Sequence, residues 1–425
     1  MFRYYTPGSP LPEPKQCDAC GGRHNIKLEP SISQIFDFHE FEVTIKDPIT
    51  GEQVQLPVIF IFDDETPSKN LPHLGEDVQI IGILRYSHYT KEKAVPLIEA
   101  FNVEKLSPKP IRLQDEVKKS EGEWNTLRKS LQDVSYDVLA NYLLPGKIPT
   151  EEKLLLLGLM LAPFKEEYGL SESPSALFVR CGEVPHASRL FQSAWNYEKL
   201  APWLVGYYNA LVRDGPLLLT KGKEFSPIFG DNKPTLRAEE MLLYKWGTLL
   251  IDHGETLSKR ELSRIAHWIS EGEIYEELGR WVRYRISGGT RVAMSIKLKN
   301  SVKDPRKALN RVFGYPDHAK FWFVYFENND PLREEYNIHL PILPDQYEIM
   351  YFAALHSLEV DVDRERFREF MSWFVDNRES ATQWGGFRLM NGLYQLAKGL
   401  AALKFKRVAD EEVFEVLRRI SMHLV

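Results

Sequence analysis

Apolar positions along this chain change period twice. Over 32–106 they alternate in short runs, with Phe36 and Phe38 in one phase and Phe41, Val43 and Ile45 in the other. That phase change predicts a strand carrying a β-bulge near His39 and Glu40. The Asp-Pro-Ile-Thr-Gly run at 47–51 reads as a turn, and 54–62, 75–85 and 95–103 read as three more strands. Short strands with no helix between them predict a small Greek-key barrel of the OB type. Arg85, Tyr86, Tyr89, Lys91 and Lys93 share one of its hairpins. Such a hairpin suits either a nucleic-acid strand stacked on aromatics or a solvated edge of a structural barrel.

From 115 to 142 the period turns helical, and Pro145, Gly146 and Pro149 interrupt it. Thr150 then caps a helix over 151–161 whose LLLLGLML run is apolar on every side and must be buried. Beyond it, apolar bursts too short for helices recur at 176–179, 248–251 and 320–326, as in strands covered on both faces. The second burst stops at Asp252, and Ser258 with Glu261 then reads as a capping box for a helix with Leu262, Ile265, Ala266 and Ile269 on one face. Past Pro341 the pattern predicts four helices, near 346–357, 363–378, 386–404 and 409–424. Asp361 and Asp363, between two of them, read as loop and cap residues.

Composition bounds the class. With 43% hydrophobic and 27% charged residues, and no apolar run approaching a membrane span, the chain reads as soluble, globular and multidomain. Its first residues carry no secretory h-region, and three cysteines among 425 residues exclude a disulfide framework, so a cytoplasmic location is expected. Net charge is −6, yet Arg280, Arg283, Arg285, Arg291, Lys297, Lys299, Lys303, Arg306, Lys307 and Arg311 stand against the single acid Asp304. The pattern predicts a hairpin with strands over 281–286 and 291–296 turning at Gly288-Gly289, and its basic face is either a nucleic-acid contact or a solvated surface.

Three places carry candidate chemistry. Asp252 ends a buried strand, where an acid commonly orders a metal-bound water beside a nucleotide; an ordinary strand with a polar exit fits equally. The turn after the 176–179 strand, from Cys181 to Arg189, stands where a phosphate-binding loop belongs. Only Gly182 of the needed glycines is present, Pro185 removes an amide, and Ser188 and Arg189 replace the lysine and hydroxyl residue. Cys17 and Cys20, followed by glycines and His24, are half of a zinc knuckle or a relic turn.

The order of these parts resembles the minichromosome maintenance (MCM) helicases, in a degenerate, inactive, archaeal-type form. The likeness rests on SQIFDFHEFE at 33–42, LPHLGEDVQIIGILR at 71–85, KIPTEEKLLLLGLML at 147–161 and GTLLIDHGETLSKRELSRIAHWISEGEI at 247–274. It implies a partial zinc-ribbon segment over 1–31, an OB domain over 32–110, and a helical linker leading into the ATPase over 111–165. An AAA+-like α/β core over 166–335 and a C-terminal helical lid over 336–425 follow. By the resemblance Ser188 falls on the Walker A lysine, His253 on the Walker B glutamate, Ile296 on the sensor-one asparagine and Lys320 on the arginine finger. Asp252 keeps the Walker B aspartate, and Arg388 falls on the second sensor arginine. Since losing an arginine finger alone can cost about a thousandfold in rate, four such changes imply lost ATP hydrolysis. The resemblance therefore implies a DNA-binding replication protein that requires no ATP, magnesium or other cofactor, has no catalytic residue, and touches single- or double-stranded DNA through the hairpin. Active MCM subunits or other replication proteins are the implied partners, with no membrane. The competing expectations are an active helicase with a divergent site and an assembly module with no DNA role.

Overall fold

A computed structural model describes residues 37–46, 53–62, 72, 76–90, 93–106, 121–167, 170–199, 204–213, 215–225, 232–278, 282–299, 304–314, 317–327, 343–377 and 386–424. Contacts divide the chain into one unit comprising Met1–Leu106 with Lys221–Leu236, and a second comprising Ser107–Thr220 with Arg237–Val425. The sequence pattern carries no sign that 221–236 belongs with the first.

In the first unit β1 (Asp37–Lys46), β2 (Gln53–Phe62), β3 (Val78–Thr90) and β4 (Lys93–Lys105) form one sheet in the order β1-β2-β4-β3. Strands β1 and β2 pair antiparallel in unbroken register from Asp37↔Phe62 to Lys46↔Gln53. The bulge expected near His39 and Glu40 is therefore absent. Phe41 and Val43 lie on the face that packs on Val58, Phe60, Ala100 and Val103. The irregularities lie instead in the β3–β4 pairing, at Ile81/Gly82, where Phe101 of β4 is passed over, and at His88/Thr90. A Cβ at Gly82 would come within 2.4 Å of the Glu99 carbonyl oxygen, so only glycine fits. Arg85 pairs with the Glu99 carboxylate, whose side chain is fully buried, so this cation helps hold the sheet together.

The second unit is α/β. Strands β5 (Ser175–Cys181), β6 (Val205–Asn209), β9 (Thr248–Asp252), β12 (Arg291–Leu298) and β13 (Phe323–Phe326) form a parallel sheet ordered β13-β5-β12-β9-β6. Among the described residues β7 (Leu219–Phe225) and β8 (Asn232–Ala238), whose 221–236 portion belongs to the first unit, pair only with each other, as do β10 (Glu273–Leu278) and β11 (Val282–Ser287) of the second. The sheet is flanked by helices, and apolar residues fill both of its faces.

Among these helices, α1 (Glu121–Leu131) and α2 (Tyr136–Leu143) precede α3 (Thr150–Leu161), which is buried continuously from Glu152 to Leu161 as its all-round apolar run requires. Helix α4 (His186–Trp195) follows β5, and α5 (Lys259–Glu271) follows β9. Ser258 caps α5 as expected, its Oγ accepting from the Glu261 N–H at 3.2 Å. The Glu261 carboxylate turns away to accept from Leu217 N–H at 2.5 Å, so only half of the capping box forms. Helix α6 (Pro305–Phe313) leads to β13, and α7 (Gln346–His356), α8 (Arg364–Asp376), α9 (Gly386–Leu403) and α10 (Glu411–Ser421) are the four expected C-terminal helices. Asp363 caps α8, accepting from the amides of Glu365 and Arg366.

The expected hairpin is re-paired. Strand β11 pairs antiparallel with β10 before it, from Glu273↔Ser287 to Leu278↔Val282. The residues after Gly288-Gly289 enter the parallel core as β12, buried from Arg291 through Ile296. A strand covered on both faces tolerates no polar alternation, which is why RVAMSI belongs in the core and not in a surface ribbon.

Candidate functional site

The carboxyl ends of a parallel sheet gather the polar groups that end its strands. Here β9 delivers Asp252, which is 1% exposed. Its Oδ1 accepts from Ser188 Oγ at 2.5 Å, Ser295 Oγ at 2.5 Å and the His253 amide at 3.0 Å. Its Oδ2 accepts from Tyr207 Oη at 3.0 Å, and His253 Nε2 stands 3.9 Å away. Burial and the Asp252 charge raise the pKa of the Tyr207 phenol, so the tyrosine stays a donor. His253 occupies the left-handed region at φ 59°, and its Nδ1 lies 3.4 Å from Glu255. Four protein donors thus surround the acid, three of them hydroxyls from three different elements.

The loop after β5 meets a second internal acid. Gly182, at φ 87°, donates its amide to the Leu298 carbonyl at 2.7 Å. Pro185 caps α4 without a side-chain hydrogen bond, and the next two amides carry the electrostatic pull of a helix N-terminus. Those amides are already occupied. His186 N–H donates to Glu327 Oε2 at 2.6 Å and Ala187 N–H to Glu327 Oε1 at 3.0 Å. Where a bound phosphate would sit at such a terminus, the chain supplies its own carboxylate.

Glu327 immediately follows β13 and is tied there by its own amide, which donates to Val179 O at 2.9 Å. It belongs to a cluster with Glu152 in the first turn of α3 and the His186 ring, one ligating atom of each lying within 4.8 Å of the others. All three residues are buried. Burial pushes the Glu152 carboxyl up to about 8, and burial together with Glu152 pushes Glu327 up to about 7. Burial lowers His186, against the opposing pull of Glu327. Sequence reasoning missed this cluster. The available signal was an acid directly after the 320–326 burst, the same placement that singled out Asp252.

Ser188, Asp252 and His253 therefore come together, and Ile296 is buried on the neighbouring strand, where a Cβ at Gly254 would approach its Cδ1 to 2.9 Å. The other residues of the expected nucleotide site are engaged elsewhere or face outward. Lys320 pairs with Asp317 at 3.5 Å, and Arg388 with Glu172 at 3.2 Å. Arg189 is exposed.

The basic surface is smaller than expected. Arg291 is 5% exposed in the core, donating from Nε to Ala162 O at 2.7 Å and from an Nη to Trp246 O at 2.8 Å, with its guanidinium 4.4 Å from the Phe164 ring centroid. Burial lowers its pKa to about 9. This corrects its assignment to a nucleic-acid face. Arg285 is exposed on β11, binding Glu273 through two nitrogens and lying 6.0 Å from the Tyr275 ring centroid. In the register of β10 and β11, Arg283 stands opposite Glu277 and Arg285 opposite Tyr275, while Glu276 pairs with Arg264 at 2.6 Å. Glu273, Glu276 and Glu277, outside the basic run in sequence, thus share the hairpin with its arginines. Lys297 and Lys299 are exposed at the end of β12. Arg280, Cys17, Cys20 and His24 lie outside the described residues, and Cys181 is a free thiol. Among the described residues no helix is long and apolar enough to cross a membrane.

No protein-family model matches the chain, and no curated protein matches it.

Proposed function

We propose that the chain is an MCM-like protein with an AAA+-type core that holds DNA and does not hydrolyse ATP. The observation carrying this reading is that the two polar positions of a nucleotide site are filled from within: Asp252 by Ser188, Ser295 and Tyr207, and the α4 amides by Glu327. Phosphoryl transfer needs open donors for the phosphates and an acid free to order a metal-bound water. Neither is open here. Support for the ATPase ancestry comes from topology, since a loop followed by a helix leaves β5 while an acid ends β9 in the same parallel sheet. The four-stranded sheet of the first unit is the part of the reading that corresponds to an OB-type domain.

DNA contact rests on the β10–β11 hairpin, with Arg285 exposed beside the 64%-exposed Tyr275, and on Lys297 and Lys299. Guanidinium and aromatic groups side by side suit a phosphate backbone and a stacked base. A second reading, an assembly module, is favoured by the three glutamates on β10 that face or pair with nearby arginines. Fluorescence anisotropy of single- and double-stranded DNA over a salt series, with and without Mg-ATP, separates them. The DNA reading expects an affinity that falls steeply with salt and ignores Mg-ATP. The double variant Arg283→Ala, Arg285→Ala should flatten the log–log salt slope by about 1.4–1.8, two phosphate contacts' worth. An unchanged slope and affinity would favour the assembly module.

A further inference from the structure

We propose that Glu152, His186 and Glu327 form a binding site for one divalent zinc-class ion. This site is separate from the DNA reading and does not depend on it. Three elements converge on it: the first turn of α3, the first residue of α4 and the residue after β13. His186 Nδ1 stands 3.5 Å from Glu152 Oε1 and 3.6 Å from Glu327 Oε2. Both separations are too long for hydrogen bonds. They match the edge of a ligand tetrahedron with bonds near 2.1 Å, which is about 3.4 Å, whereas an octahedral magnesium site would draw neighbouring ligands to about 3.0 Å.

Two buried atoms of the cluster have no hydrogen-bond partner, His186 Nδ1 and Glu152 Oε2, on residues 5% and 1% exposed. Orphaned buried acceptors are costly and call for an explanation. Neighbouring cations do not answer it. Arg180 directs its two Nη to Glu183 at 2.6 Å and the Val184 carbonyl at 3.4 Å while its buried Nε bonds neither carboxylate of the cluster, and Lys153 donates at 2.7 Å to both Asn141 Oδ1 and Gly146 O. The α4 amides orient the Glu327 carboxylate without exhausting it, because each of its oxygens keeps a second lone pair. One imidazole nitrogen and two carboxylates suit a borderline ion better than the hard calcium or magnesium. Ligands this deeply buried indicate an ion that pins the start of α4 to the sheet and to α3.

The N-terminal Cys17 and Cys20 are an alternative zinc source, so the test uses the full chain carrying Cys17→Ser and Cys20→Ser. After chelator stripping, dialysis and addition of ZnCl2, atomic emission should find about one zinc per chain, with a melting temperature raised by about 5 °C. MgCl2 should give neither. Glu152→Gln, which preserves shape, should weaken zinc binding by about a hundredfold or more while remaining folded by circular dichroism, and His186→Leu should do the same. Zinc absent from the cysteine-free chain, or held equally by either folded ligand variant, would overturn the site.

Discussion

Replacing Asp252 separates a structural acid from a catalytic one. Asp252→Ala strands four donors in a buried site: the Ser188 and Ser295 hydroxyls, the Tyr207 phenol and the His253 amide. A hydrogen bond to a charged group contributes about 1.5–3 kcal/mol, so simple addition would exceed about 6 kcal/mol. Relaxation reduces this. Ser188 and Ser295 already lie 3.5 Å apart and can bond each other, and the His253 amide keeps its 2.9 Å contact with Ser295. A net loss of about 3–5 kcal/mol is expected, the usual size for breaking a buried charged network. Asp252→Asn keeps the shape but removes the charge and one acceptor, and should cost about 1.5–3 kcal/mol. Because two units need not unfold in one transition, the assay is native-state hydrogen exchange of the β9 and β12 amides rather than a global melt. The ordering of parent, Asn and Ala variants should appear in those amides, while DNA affinity stays within about twofold. The reasoning would be refuted if both variants kept parental exchange rates but lost magnesium-dependent ATP binding, the signature of an acid reserved for a metal.

Two further outcomes test buried basic residues of the second unit. Arg291→Ala should destabilise the second unit by about 3 kcal/mol by stranding the Ala162 and Trp246 carbonyls, and the volume-keeping Arg291→Met by about half of that. Hydrogen exchange reads this, and DNA affinity of the folded Met variant should match the parent, since the guanidinium never reaches the surface. His318 is buried, and burial lowers its pKa to about 4, so the unfolded chain, with a histidine near 6.5, binds the proton more readily. Its contribution is complete above about pH 6.5 and is lost as pH falls towards 4, amounting to about 2 kcal/mol between pH 7.5 and 5. His318→Leu should remove that part of the acid sensitivity, and equal pH slopes for parent and variant in local exchange would contradict the assignment.

How far the chain could be read in advance follows from which interactions are local. Helix caps are local: Ser258, Asp363 and the breakers at 145–149 place α5, α8 and the start of α3 within a residue or two. Three of the five parallel strands, β5, β9 and β13, announce themselves as short apolar bursts because both faces are covered, and Asp252 is legible because it ends one. The hairpin was misread for a related reason. Glu273–Leu278, EIYEEL, is too acidic to suggest a strand, so in the sequence Gly288-Gly289 is the nearest visible turn and the apolar β12 looks like its return. That single error placed Arg291 on a surface and hid the glutamates that accompany Arg283 and Arg285. Glu152 and Glu327 were illegible for a different reason, since one opens an apolar helix and the other closes a strand, and only the crossover of the sheet brings them to His186. The pairing around Asp252 shares that non-local character: Ser188 and Asp252 are far apart in the chain, and only the fold makes them one satisfied network. Buried donors and acceptors must be paired with something, and around Asp252 and the α4 amides Ser188, Ser295, Tyr207 and Glu327 do that pairing. His186 Nδ1 and Glu152 Oε2 are left over by the same accounting, which is why an ion, rather than another side chain, is the expected partner there.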